Sequence, residues 1–279
     1  MHRSSQSTPS PGERTTLTIM ARIGFAARGL VYLLVAAFAA AAALGLGQQP
    51  HGIVDAIQAV THNQLQVLVA GSIGTGLACL AAYFAIAGLR QCCRGRGTRS
   101  WLFGAGMLGD ALIYAAVMIS TLSITIGWHP DGEREAHSWT AWLLVQPFGR
   151  GLVGFVGLVI LACGIGVIVW FMTADIDDDL DLPESQKRAI EPIGRYGLAG
   201  RGAAISLVGI YWMAAAIQGQ PAKAHELGGA LEAVQQHSKG WLLLLFLGIA
   251  LAASAVFDFV EALYHSPQRL ANVDSKGPR

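Results

Sequence analysis

Charge is scarce in this chain: Asp, Glu, Lys and Arg make up 13% of its 279 residues, about half the share of an ordinary soluble domain. The shortage excludes a soluble globular class and a disordered one. It also removes nucleic acid as a partner, because 19 Lys and Arg face 18 Asp and Glu and the basic loops are short. Cysteine is sparse too, at four residues, so no disulfide framework is expected. Cys79 and Cys163 read as small packing residues in apolar segments, and Cys92 and Cys93 as reduced thiols just after the second segment. No Walker loop, His-Glu-x-x-His or nucleophile elbow is present, so the sequence points to no enzyme and implies no cofactor.

What the chain has instead is apolar length, with 53% hydrophobic residues. A bilayer core about 30 Å thick takes about 20 helical residues, and six segments reach that length: residues 21–46, 65–89, 101–127, 148–172, 196–217 and 240–264. An all-α integral membrane protein follows, with the lipid bilayer as its first partner. Counting Lys and Arg outside the spans places thirteen on one side and four (Arg134, Arg150, Lys223 and Lys239) on the other, which puts both termini in the cytoplasm of a bacterial plasma membrane. The Ser- and Pro-rich residues 1–20 and the stretch 266–279 read as cytoplasmic tails.

A motif is written twice, each time at the start of an apolar run. Arg22, Gly24, Arg28 and Gly29 return as Arg195, Gly197, Arg201 and Gly202. A weaker middle copy sets Gly106, Asp110 and Tyr114 in the places of Gly24, Arg28 and Tyr32. The repeating unit is a helix, an outer loop and a returning helix, which divides the chain into repeats at 21–98, 99–190 and 191–265. An even number of helices per unit makes these parallel repeats, and a pseudo-threefold bundle of three hairpins is the simplest packing. The loop stretches 55–60 and 229–236 read as short amphipathic helices on the outer surface.

The Ala-Arg-x-Gly-x-x-Ala-Arg-Gly-x-x-Tyr pattern from Ala21 to Tyr32, the three hairpins, and the run from Trp139-Thr140-Ala141 to Gly149-Arg150 resemble the bacterial membrane family catalogued as domain of unknown function 1206. The resemblance implies the architecture and brings no substrate or reaction with it. The middle copy departs by carrying Asp110 in place of arginine, and the third carries Ile205 in place of Tyr32.

Arg28, Asp110, Arg201, Asp258 and Glu261 all fall within roughly 15 Å of the cytoplasmic ends of their helices and form one charged layer. An ionisable side chain at mid-membrane costs about 2.5–3.5 kcal/mol on insertion scales, so pairing inside the bundle is expected. Asp258 and Glu261 lie on one helical face, and Arg28 with Asp110 is one candidate pair. Two readings of the layer stand: a structural lock in a protein that associates with lipid, another membrane protein or itself, and a path for a small solute, ion or proton.

Other signals favour plainer readings. Six histidines (His51, His62, His129, His137, His225 and His237) fall in the outer loops, but without compact metal-ligand spacing, and no metal site is expected. The acidic run between Asp175 and Asp181 lacks the glycine and glutamate of a calcium loop. The glycine strings at 104–109 and 149–154 have dinucleotide-binding spacing but open membrane helices, so they read as packing glycines.

Overall fold

The computed structural model describes residues 11–46, 50–60, 66–94, 98–127, 132–173 and 184–264. Among these there is no strand. A backbone crossing lipid must satisfy its own N–H and C=O groups, and a helix does so within one segment. The helices are α1 (Pro11–Ala43), α2 (Ile53–Val60), α3 (Gln66–Arg94), α4 (Thr98–Thr125), α5 (Gly132–Val145), α6 (Gly149–Thr173), α7 (Glu184–Gln218), α8 (Leu227–Gln235) and α9 (Gly240–Tyr264), with a 3₁₀ turn at Pro221–Lys223. Six of them, α1, α3, α4, α6, α7 and α9, are long and apolar enough to cross a membrane. The short helices expected in the first and third loops are α2 and α8.

Three features differ from the sequence reading. Helix α1 begins at Pro11, so residues 11–20 are helical and not tail. Proline suits the first helical position, where its missing N–H would have no intrahelical partner, and nothing in the following turns breaks the helix. Helix α7 likewise starts at Glu184 and carries Pro192 inside it. The loop between α4 and α6 contains α5, 14 residues long, whose polar first half carries no apolar periodicity. The acidic run after Asp175 lies outside the described residues.

Packing runs in a row. The most extensive interfaces are α6 with α7, α3 with α4 and α1 with α9, followed by α7 with α9 and α1 with α3. The resulting order is α4, α3, α1, α9, α7, α6. Small residues make the close approaches. A Cβ placed on Gly24 of α1 would lie 2.7 Å from Leu80 Cβ of α3, and one on Gly197 of α7 would lie 2.6 Å from Ser254 Cα of α9. The motif glycine thus closes the first and third hairpins. In the middle hairpin α4 and α6 share no extended interface, and Gly106 meets nothing within 4 Å. The expected threefold pattern is not confirmed: the helices follow a row whose two ends, α4 and α6, share no extended interface.

Two apolar clusters flank α1. Phe25, Val31, Leu77, Leu80, Tyr83 and Tyr114 join α1 to α3 and α4. Tyr32, Val35, Leu244, Leu247, Leu251 and Ala255 join it to α9. Helix α1 is therefore the central strut, and whatever projects from its middle is held from both sides.

Candidate functional site

Arg28 projects from the middle of α1 between these clusters, and 5% of it is exposed. Gly29 lets α9 come close beside it, since a Cβ there would stand 3.1 Å from the Ala255 carbonyl and 3.2 Å from Asp258 Cβ. The Arg28 Nη2 is ion-paired with Asp258 Oδ1, and lies 2.9 Å from Glu261 Oε2. Asp258 is fully buried. Asp258 and Glu261 are three residues apart on one face of α9, so a single guanidinium meets both. Arg28 Nη1 also donates to the Tyr114 hydroxyl of α4 at 3.5 Å.

Arg201 of α7 reaches the same place from the other side and donates to the same Tyr114 hydroxyl. Its guanidinium carbon lies 4.9 Å from the centre of the Tyr32 ring, as that of Arg28 lies 4.8 Å from the Phe25 ring; cation–π contact of this kind is strengthened by exclusion of water. Tyr114 in turn stacks on Phe84 of α3, with centroids 5.7 Å apart and planes 14° apart. Three helices, α1, α4 and α7, thus meet at one tyrosine oxygen that accepts from two arginines, with α3 stacked on its ring.

The layer is uneven. Arg28 has two carboxylate partners, whereas Arg201 forms no ion pair among the described residues. Asp110, the middle copy's substitute for arginine, is exposed and likewise forms no ion pair among them. The candidate pair of Arg28 with Asp110 is therefore not formed; Arg28 pairs with α9. Asp110 lies one turn from Tyr114 on the same side of α4, within electrostatic reach of Arg201 and, more weakly, Arg28. The opposite flank of α4 carries Gly104 and Leu108, which touch Gly88 of α3. Asp110 consequently borders the side of α4 that α6 leaves uncovered.

The motif's outer arginines behave differently. Arg22 is exposed, and Arg195 pairs with Glu191 at 2.7 Å, both side chains 34% exposed. They sit six residues, about 9 Å, nearer the helix starts than Arg28 and Arg201. Gly24, Gly29, Gly197 and Gly202 are all buried and serve packing, with Gly202 set against Gly164 and Ile168 of α6.

Tyr114, Tyr32 and Ser254 were not among the expected site residues. Register alone could have found the two tyrosines, since Tyr114 matches Tyr32 in the middle copy. Ser254, fully buried one turn before Asp258, left no such trace. His137 and His225 stand with ring centroids 5.8 Å apart, and Tyr211 is 5.0 Å from His225. His51 stacks on Phe38 at 4.4 Å, and His62 and His129 lie outside the described residues. Among the described residues no group of three His, Cys, Asp or Glu could hold a metal ion.

The family model described as Domain of Unknown Function (DUF1206) matches the chain twice, over residues 105–170 and 196–265. Each match covers one hairpin, α4 to α6 and α7 to α9. The matches begin 91 residues apart, at 105 and 196, the offset that relates Gly106 to Gly197, Asp110 to Arg201 and Tyr114 to Ile205. A curated relative from Bacillus subtilis (strain 168), the uncharacterized protein YxxB, is 24% identical over 249 residues, covering 87% of this chain and 89% of its own. No solved structure matches the chain. With one match on its middle hairpin and another on its last, the chain resembles the family described as Domain of Unknown Function (DUF1206) over two of its three hairpins.

Proposed function

We propose that the protein is a non-enzymatic component of the bacterial plasma membrane, with both termini cytoplasmic, that works by associating with lipid or another membrane protein. Its charged layer serves to lock the helices. The observation that carries this reading is the double pairing of buried Arg28 with Asp258 and Glu261 across the α1–α9 interface. Breaking a buried pair on one side strands a charge, while replacing all partners by apolar residues of similar size is often neutral.

The test follows from that asymmetry. Arg28→Met alone should lower the unfolding midpoint of the purified protein sharply, and Arg28→Met with Asp258→Leu and Glu261→Leu should recover most of it. A triple variant no more stable than the single one contradicts the lock.

The second reading is a small solute, ion or proton transporter built on the same layer. It is supported by Arg201, which forms no ion pair among the described residues, and by Asp110, exposed inside a membrane span. Under that reading the triple apolar variant would fold but lose flux in proteoliposomes.

A further inference from the structure

We propose that the open side of the bundle between α4 and α6 is a binding site for the zwitterionic head group of an aminophospholipid, with its ammonium on Asp110 and its phosphate on Arg201. The inference rests on the lipid-associating reading above and names the class of lipid.

An ionisable side chain within a membrane span faces the bundle interior, a hydrated cavity or a partner of opposite charge. Asp110 is within the α4 span, exposed, and forms no ion pair among the described residues. Arg201 gives one N–H to Tyr114 out of the five a guanidinium carries, and also has no carboxylate partner among these residues. An anion alone would be repelled by Asp110 and a cation alone by Arg201. A molecule carrying both charges a few ångströms apart complements the two together. The missing α4–α6 interface opens this pair of groups to the acyl-chain region, so the occupant arrives from the lipid.

Depth is compatible. Arg195 and Glu191, partly exposed and paired, mark the polar boundary on α7, and Arg201 is six residues, about 9 Å, further in. Helices α4 and α7 both start at this face, and Cα–Cβ bonds lean toward a helix N-terminus, so both side chains tilt back toward the head-group layer and shorten the distance. Exposed Trp101, at the base of α4, sits where interfacial tryptophans anchor. The uncovered flanks supply the apolar walls for the chains: Ile113 of α4, and Phe155, Leu158 and Ile165 of α6, are 49–65% exposed.

The experiment reconstitutes the full-length protein in vesicles of equimolar phosphatidylethanolamine and phosphatidylglycerol with identical acyl chains, then counts the lipids retained by native mass spectrometry. The wild type should retain phosphatidylethanolamine over phosphatidylglycerol by about fivefold, the size expected of one charge contact near a membrane surface. Asp110→Asn should abolish the preference, and Asp110→Glu, which restores the charge, should keep it. Equal retention of the two lipids by the wild type, or a preference unchanged in Asp110→Asn, overturns the proposal. Because the Arg28 lock is read by unfolding and this site by lipid selection, either can fail alone.

Discussion

Gly24 and Gly197 hold the same place in the first and third hairpins and do the same job: each lets its helix settle against the returning one, on Leu80 in one case and Ser254 in the other. Gly106 holds that place in the middle hairpin and faces open space. The residues four positions on follow suit, with Arg28 and Arg201 turned into the bundle and Asp110 exposed. One repeat unit has thus taken two states, closed around a cation and open beside an anion. The closed pair supplies the rigid frame, and the open hairpin supplies the surface where this frame can meet something else.

The comparison breaks most severely if the frame loses its central charge pair. Asp258→Leu alone leaves Arg28 buried beside only Glu261, and should cost about 3–5 kcal/mol, measured by unfolding in detergent. Tyr114→Phe removes the acceptor shared by two arginines and should cost about 1.5–3 kcal/mol, the range for hydrogen bonds to charged groups. The motif glycines sharpen the contrast. Gly197→Ala presses a methyl group against the α9 backbone and should cost about 1–3 kcal/mol, whereas Gly106→Ala meets nothing and should be neutral or stabilising by up to about 1 kcal/mol. Equal losses at the two glycines would erase the distinction between hairpins. Smallest is Lys223→Ala in the 3₁₀ turn, expected to stay within about 0.5 kcal/mol.

The spans were legible because lipid imposes one length and one backbone solution on any crossing segment, and the internal motif announced the hairpins. The same motif located Arg28 and Arg201, and the three-residue spacing put Asp258 and Glu261 on one face. Which acid Arg28 meets was not legible. Asp110, Asp258 and Glu261 are all at reachable depth, and only the rotation of each helix decides; the α9 face wins because Gly29 admits it closely. The start of α1 was missed for a different reason: the residues from Pro11 on are polar, and hydropathy marks the membrane boundary of a helix, not its end. The open middle hairpin depends on a contact that is absent, and no local pattern encodes that apart from the substitution of aspartate at the motif's arginine.

Disulfide trapping within one chain tests the two-state repeat most directly, in a background with Cys79, Cys92, Cys93 and Cys163 replaced. Cysteines at Ala39 and Gly248, where a Cβ on Gly248 stands 3.6 Å from Ala39 Cβ, and at Gly154 and Ala216, at 3.4 Å, approximate the Cβ separations of a disulfide and should cross-link nearly completely. Pairs across the middle hairpin, such as Ile113→Cys with Leu158→Cys or Ala162→Cys, should stay reduced. Cross-linking of α4 to α6 as complete as that of these neighbouring pairs would contradict the account, because α4 and α6 would then pack as closely as adjacent helices of the row.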